Sequence, residues 1–262
     1  MTQSILEESP RTGVVVLTFN RPERRNALSI AMMRSLVARM KELSEQREAR
    51  VVILRGAGPV FCAGLDLAEA SKSELVEESA ECVASTLHAL RYSPIVTIAA
   101  VHGGAYAGGA GVVAACDMAI GANDLQIGFP EARRGLLPAL ITDVLQTKVR
   151  EGDLAELFLV GNPIDAQRAQ QIGLFQRIVP SEKLLDVAME LAQGVLAGGP
   201  QTIIDTKKLM HRAFDASKSN GHESHTSIRD HLKARNSPEA QEGLRAFLEK
   251  RPPSWMSSTH ER

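Results

Sequence analysis

Residues 95–120 have the sequence IVTIAAVHGGAYAGGAGVVAACDMAI, in which two apolar runs flank a cluster of glycines. The β-branched run that ends at Val101 predicts a strand, and Ser93-Pro94 before it predicts the end of a helix. Glycines at positions 103, 104, 108, 109 and 111 predict a loop with unusual backbone conformations. Residues 112–120 then predict a second buried element that begins directly after the loop. Its small residues are expected on the face that packs most closely against neighbouring elements.

Strands and helices alternate towards the N-terminus as well. Residues 13–19 and 51–54 are β-branched runs bounded by turn residues, and we expect both to be buried strands. Ser29 can cap a helix between them, because apolar residues follow it at helical spacing. The apolar face of this helix consists of Met32, Leu36, Met40 and Leu43. A second helix before Ser93 has an apolar face formed by Leu75, Val83, Leu87 and Leu90. This alternation is typical of an α/β fold.

The pattern changes in the last third of the chain. Asp165 can cap a short helix that Gly173 ends, and Pro180-Ser181 can begin another. Beyond residue 180 the sequence contains helical patterns only. We therefore expect a C-terminal helical region that packs on the α/β core or on a partner.

Composition excludes several classes of function. The chain has 262 residues, 44% of them hydrophobic, and a formal net charge of −1 with no long run of like charges, so nucleic acid and anionic membranes are not expected partners. No apolar stretch approaches the about 20 residues of a membrane helix, and residues 1–11 lack an apolar signal core, so we expect a cytoplasmic protein. The cysteines Cys62, Cys82 and Cys116 show no metal-type pairing and are expected to be small apolar fillers. Nor do His211, His222, His225 and His231 form a convincing set, so no metal site is predicted.

Two glycine-containing turns, at residues 61–67 and 102–111, are separated by one helix and one strand. Each could present an unpaired backbone N–H at the start of a helix, where the helix dipole adds partial positive charge. Two such donors form an oxyanion hole, which stabilises a carbonyl oxygen as it becomes negatively charged. For either turn alone, a tight turn with no functional role is the favoured explanation of the glycines.

Several ordered motifs make the sequence resemble the crotonase superfamily, the enoyl-CoA hydratases and isomerases, along nearly its whole length. The motifs are Asn20-Arg21-Pro22 with Asn26-Ala27-Leu28, residues 61–67 (FCAGLDL), residues 100–109 with Cys116-Asp117, Phe129-Pro130-Glu131 with residues 135–138 (GLLP), residues 165–179, and residues 242–251. The resemblance implies an α/β core of stacked ββα turns over residues 1–195. It also implies a helical region over residues 196–262 that oligomerises the chain as a homotrimer or homohexamer.

The resemblance also assigns roles to residues. It implies that the N–H groups of Leu65 and Gly108 form the oxyanion hole and that Glu131 transfers protons. Coenzyme A, part of the substrate rather than a separate cofactor, would be bound by Ala27, Ala63, Asp66 and Leu67, and by Phe247 and Lys250 of a neighbouring subunit. Arg24 and Arg25 are candidate phosphate partners, and Arg133 or Arg134 could pair with a second carboxylate on the substrate.

One position departs from the family pattern. Hydratases of the family usually carry a first glutamate three residues after the glycine donor, where this chain has Gly111. Hydration of a 2-enoyl-CoA would then require Glu131 to act with water held in the space that Gly111 leaves. A single carboxylate also suits enoyl-CoA isomerisation, in which one proton moves from C2 to C4. A catalytically silent acyl-CoA binder is the third possibility.

A dinucleotide-binding protein is the alternative from another class. Residues 109–114 satisfy G-x-G-x-x-A after a strand. The first glycine of this motif lies eight residues beyond Val101, however, and no acidic residue ends a second strand about 20 residues later. The context therefore argues against this function.

Overall fold

The chain forms two sheets in a computed structural model that describes residues 3–47, 49–70, 72–216 and 237–257, with the side chains of 214–216 and 257 excepted. The strands of the described residues are β1 (Ile5–Arg11), β2 (Gly13–Phe19), β3 (Ala49–Gly56), β4 (Val96–Val101), β5 (Gly104–Tyr106), β6 (Met118–Ala122), β7 (Gln126–Gly128), β8 (Ile164–Asp165) and β9 (Arg177–Val179). The larger sheet has the order β1-β2-β3-β4-β6-β9 and the smaller has the order β5-β7-β8.

Most neighbouring strands are parallel. In the larger sheet only β1 and β2 pair antiparallel, and in the smaller one β5 and β7 are parallel while β7 and β8 are antiparallel. All six residues of β4 are buried, as expected of a central strand covered on both faces. The α/β organisation predicted from the sequence is confirmed.

Helices follow the strands. Their bounds are α1 (Ile30–Gln46), α2 (Leu67–Ala70), α3 (Val76–Tyr92), α4 (Gly108–Ala115), α5 (Ala139–Leu145), α6 (Glu151–Ala155), α7 (Ala166–Gln171), α8 (Leu184–Ala197), α9 (Pro200–Ala216), α10 (Pro238–Leu248) and α11 (Ser254–Ser257). The predicted caps are confirmed, because the side chains of Ser29 and Asp165 accept hydrogen bonds from the backbone N–H groups of Met32 and Arg168. The four residues predicted to form the apolar face of α1 are at most 2% exposed.

Two elements differ from those predicted from the sequence. Leu75 lies in a 3-10 turn before α3 rather than in the helix. Residues 112–120 do not form one element, because the chain leaves α4 after Ala115 and enters β6 at Met118. Between them, the Asp117 carboxylate accepts a hydrogen bond from the Thr97 N–H at 2.8 Å, and the Asp117 N–H donates to the Thr97 hydroxyl at 3.0 Å. These bonds align β6 beside β4 and end the helix.

The chain divides into two compact units between Glu190 and Leu191. Within the second unit, the Glu239 carboxylate accepts hydrogen bonds from the N–H groups of Gln201 and Thr202, which links α10 to the start of α9. The Trp255 indole donates to the Ala197 carbonyl at 3.0 Å. The predicted role of residues 196–262 in oligomerisation stays a prediction. None of the helices in the described segments has both the length and the apolar character needed to cross a bilayer.

Candidate active site

A cavity of about 610 Å³ opens in the first unit. Its walls come from the loop after β2, the turn after β3, the turn before α4, one face of α3 and the segment from Glu131 to Ile141. The loops that follow β2 and β3 leave the carboxyl ends of parallel strands, where open α/β sheets generally bind ligands. The cavity is therefore the strongest candidate for a site.

The turn after β3 presents the N–H of Leu65. Gly64 has a φ of +97°, a conformation that favours glycine. A short parallel bridge holds the turn, since the Leu28 N–H donates to the Gly64 carbonyl at 2.8 Å and the Asp66 N–H donates to the Leu28 carbonyl at 3.0 Å. Both bonds use the backbone of Leu28, and the N–H of Leu65 between them has no acceptor among the described residues.

The turn before α4 presents the N–H of Gly108. Gly108 is the first residue of the helix, so its N–H lacks the usual partner one turn earlier, and no other acceptor lies near it among the residues described. Ala107 precedes it with φ 49° and ψ −121°, a strained conformation for a residue with a side chain. This conformation is held by a hydrogen bond from the Ala107 N–H to the Gly128 carbonyl at 2.9 Å.

The two turns lie against each other. A Cβ placed on Gly108 would lie 3.9 Å from the nitrogen of Leu65, and one placed on Gly64 would lie 3.6 Å from the nitrogen of Gly108. Gly109 permits this approach, because a Cβ there would lie 2.5 Å from the Cys62 carbonyl oxygen. Two free N–H donors thus share one side of the cavity, which is the arrangement of an oxyanion hole.

The nearby thiol takes no part in this chemistry. Cys62 is fully buried, and burial raises the pKa of its thiol to about 12, so the thiolate is not available at neutral pH. Cys82 and Cys116 are buried thiols as well. The three cysteines are apolar fillers, as the sequence predicted.

Glu131 brings a carboxylate to the same cavity. It is 8% exposed, and its Oε2 is buried with no hydrogen-bond partner among the described residues. Burial raises the pKa of Glu131, although a backbone hydrogen bond and the positive charge of Arg134 act in the opposite direction. Leu136 and Leu137 line the cavity but are 59% and 86% exposed, so they shield this carboxylate only in part.

Apolar side chains lie close to the backbone of Gly111. A Cβ on Gly111 would lie 3.2 Å from Cγ1 of Ile141 and 3.5 Å from Cδ2 of Leu87. The first glutamate of the family pattern would therefore begin against apolar atoms here, and the use of this space by a water molecule stays a prediction. Glu131 is the carboxylate of this cavity that has no ion pair.

The predicted coenzyme-binding residues of the first unit all line the cavity, namely Arg24, Ala27, Ala63, Asp66 and Leu67. Phe247 is 81% exposed at the end of α10, and Lys250 follows that helix with a φ of 54°. Both belong to the second unit, so their predicted part in a coenzyme A site of a neighbouring subunit stays a prediction.

Arg21 was assigned no role from the sequence, yet its side chain holds together the wall of the cavity that contains Ala27 and Asp66. Its guanidinium donates to Asp66 Oδ2 at 2.8 Å and to the Ala27 carbonyl at 2.6 Å. Burial by itself would raise the pKa of Asp66, but the hydrogen bond and charge of Arg21 outweigh burial and the pKa is lowered. Asp66 is therefore an ionised structural group rather than a proton carrier.

Asn26 is a second positioning residue that was missed. It is fully buried with a φ of 53°, and its amide donates to the carbonyls of Ala57 and Val60 at 2.8 Å each. Its carboxamide oxygen accepts from the Arg21 N–H at 2.9 Å. Asn26 belongs to the N-A-L motif of the sequence, but the two carbonyls to which its amide donates lie more than 30 residues away and could not be identified from spacing.

The dinucleotide motif is not formed. Residues 109–114 lie inside α4 and are buried, whereas that motif requires a glycine-rich turn directly after a strand with room for a pyrophosphate. Within the described segments, no three histidine, cysteine, aspartate or glutamate side chains are placed to hold a metal ion. His222, His225 and His231 lie outside those segments.

Comparison with known proteins gives consistent matches. A model of the family described as enoyl-CoA hydratase/isomerase matches residues 9–258. The chain is 32% identical over 253 residues to an enoyl-CoA hydratase of Mycobacterium tuberculosis, covering 94% of each chain. It is 31% identical over 261 residues to the mevalonyl-coenzyme A hydratase of Aspergillus fumigatus, covering 98% of this chain and 96% of the relative.

Among solved structures, an enoyl-CoA hydratase from Mycobacterium smegmatis matches with a TM-score of 0.88 and 30% identity, covering 97% of this chain and 100% of that one. This likeness confirms the crotonase-type fold that the motifs predicted.

Proposed function

The chain belongs to the enoyl-CoA hydratase/isomerase family, and we propose that it adds water to the double bond of a 2-enoyl-CoA thioester. One observation carries this proposal: two backbone N–H groups and a buried carboxylate line the same cavity, and neither N–H nor Oε2 of that carboxylate has a hydrogen-bond partner among the described residues. Relatives about 30% identical over nearly the whole chain are named hydratases, which supports the same reaction.

The N–H groups of Leu65 and Gly108 would receive the thioester oxygen. As water attacks C3, negative charge moves onto this oxygen and a thioester enolate forms. Donors that are already in place stabilise the enolate more than the ground-state carbonyl, and each can lower the barrier by about 3–4 kcal/mol. The hydrogen bonds that hold both turns provide this preorganisation.

Glu131 would transfer the proton. Its carboxylate accepts a proton from water as the water oxygen bonds to C3, and the protonated carboxyl then gives this proton to C2 of the enolate. Hydrogen and hydroxyl are thus added across the double bond and the carboxylate is regenerated. A raised pKa suits both half-steps, because a base with a pKa closer to neutrality is also a competent acid.

Isomerisation of a 3-enoyl-CoA to a 2-enoyl-CoA is the second candidate. The packing of Ile141 and Leu87 against Gly111 favours it, since a second carboxylate is missing and its place is apolar. In this reaction Glu131 would remove a proton from C2 and return it to C4 of the same dienolate. The oxyanion hole would act in the same way.

Coenzyme A would lie along the wall formed by Ala27, Ala63, Asp66 and Leu67, with Arg24 close to a phosphate. We expect a homotrimer or homohexamer in which Phe247 and Lys250 of one subunit complete the site of another. Light scattering of the purified protein measures the number of subunits, and truncation after residue 236 should weaken both assembly and coenzyme A binding.

Two substrates tested in parallel distinguish the candidates. Crotonyl-CoA should lose its conjugated thioester absorbance on hydration, and in H₂¹⁸O the label should enter the 3-hydroxyl group. A 3-enoyl-CoA that gains conjugation, while crotonyl-CoA stays unchanged, would establish the isomerase instead. Thermal stabilisation by coenzyme A without turnover of either substrate would leave the acyl-CoA binder.

A further inference from the structure

Two adjacent arginines near Glu131 have different surroundings. The Arg133 guanidinium donates to the Asn162 side-chain oxygen, and its aliphatic stem lies against Gly161. Arg134 lines the cavity instead. Residue type and spacing do not distinguish the two arginines, whereas their contacts do.

Arg134 has no carboxylate partner in the part of the chain that the structure describes, and its side chain donates to no acceptor there. Its backbone N–H donates to the Glu131 carbonyl at 2.9 Å, so Arg134 and Glu131 stand at the two ends of one 3-10 turn. Its charge also acts on Glu131, although the two side chains form no ion pair. The Arg134 guanidinium therefore has no partner among the described residues and lines the same cavity as Glu131.

The coenzyme already has other cations available. Arg24 and Arg25 belong to the loop after β2, where the Ala63 N–H donates to the Arg25 carbonyl at 3.0 Å. Arg134 is exposed and lies instead on the segment of the wall that contains Glu131, together with Leu136 and Leu137. A guanidinium can bind a planar anion through two parallel hydrogen bonds.

Building on the proposed function, we infer that the acyl group of the substrate carries a second carboxylate and that Arg134 binds it. The pairing has a further consequence for the reaction. A carboxylate on the substrate would repel ionised Glu131, and the charge of Arg134 cancels this repulsion. Arg134 thus selects a dicarboxylic thioester and allows Glu131 to act as a base beside it.

Crotonyl-CoA and glutaconyl-CoA form a matched pair of probes, because both have the reacting double bond at C2 and only glutaconyl-CoA has a terminal carboxylate. We expect the wild-type kcat/KM to favour glutaconyl-CoA by about three- to five-fold, because Arg134 is exposed and solvent screens its pairing with a carboxylate. Arg134→Gln should abolish that preference, and Arg134→Lys should keep part of it. Arg133→Gln is the control and should leave the ratio and both rates unchanged.

Equal losses with both substrates in Arg134→Gln would overturn the inference and place the arginine on coenzyme A. A wild-type preference for crotonyl-CoA would overturn it as well. Calorimetry with glutaryl-CoA and butyryl-CoA, which have no double bond to react, makes the test independent of turnover. Tighter binding of glutaryl-CoA that depends on Arg134 supports the inference even if neither enoyl substrate reacts, in which case only the proposed reaction fails.

Discussion

Gly109 and Gly111 lie two residues apart in the same buried helix, yet an added methyl group should have opposite consequences at the two positions. Replacing glycine by alanine inside a helix gains about 1 kcal/mol from backbone propensity. At Gly109 the new Cβ would lie 2.5 Å from the Cys62 carbonyl oxygen and 2.8 Å from its Cβ and Sγ. Backbone has to move to relieve this contact, at a cost of about 3 kcal/mol or more.

We therefore expect Gly109→Ala to lower the free energy of unfolding by about 2 kcal/mol. The backbone that moves belongs to the turn that presents the Leu65 N–H, so kcat should fall by about 10²-fold or more. At Gly111 the closest atom is Cγ1 of Ile141 at 3.2 Å, a side-chain atom that has to shift by only a few tenths of an ångström. Gly111→Ala should change the unfolding free energy by less than about 1 kcal/mol.

Urea denaturation gives the free energies of unfolding, and turnover of the substrate identified for the wild type gives kcat. Equal destabilisation by the two substitutions would refute the packing argument. A destabilised Gly109→Ala protein with wild-type kcat would show that the contact between the turns does not position the oxyanion donors.

Three further predictions concern the residues around the site. Arg21→Met leaves the carboxylate of Asp66 without its partner, so the free energy of unfolding should fall by about 2 kcal/mol at pH 7. Because the pKa of Asp66 is lowered in the folded state, its stabilising effect is present above the unfolded-state pKa, and urea denaturation should show the difference from wild type shrinking as the pH falls below about 4. Ala107→Gly relieves a strained conformation and should raise the unfolding free energy by about 1 kcal/mol in the same measurement, while a loss of stability would show that the Ala107 methyl is needed for packing. The acid limb of the pH profile of kcat/KM should lie at a higher pH than the pKa of an exposed glutamate, because burial raises the pKa of Glu131. In Arg134→Gln this limb should move to still higher pH, because the positive charge that lowers the pKa of Glu131 is gone. A limb that stays in place would show that another group titrates.

Local patterns predicted most elements of the fold correctly. The Ser29 cap and the apolar spacing of α1 depend on residues within one or two helical turns, so the sequence contains all the information they need. The glycines around residue 108 likewise indicated that the backbone there is special. Those features establish where strands and helices begin and which faces are buried.

Contacts between residues far apart in the sequence could not be predicted from local patterns. The ion pair of Arg21 and Asp66 joins residues 45 positions apart, and Ile141 covers Gly111 from 30 positions away. Neither pairing leaves a periodic signal in the sequence. Arg133 and Arg134 differ only in the direction their side chains take from one 3-10 turn, which composition does not encode.

The proposed reaction depends on proton transfer by the buried carboxylate of Glu131. The decisive experiment compares wild type and Glu131→Gln for turnover of a 2-enoyl-CoA and a 3-enoyl-CoA, with coenzyme A affinity measured on both proteins. We predict a loss of about 10²-fold or more in kcat with coenzyme A affinity nearly unchanged. Undiminished turnover in Glu131→Gln would contradict the mechanism.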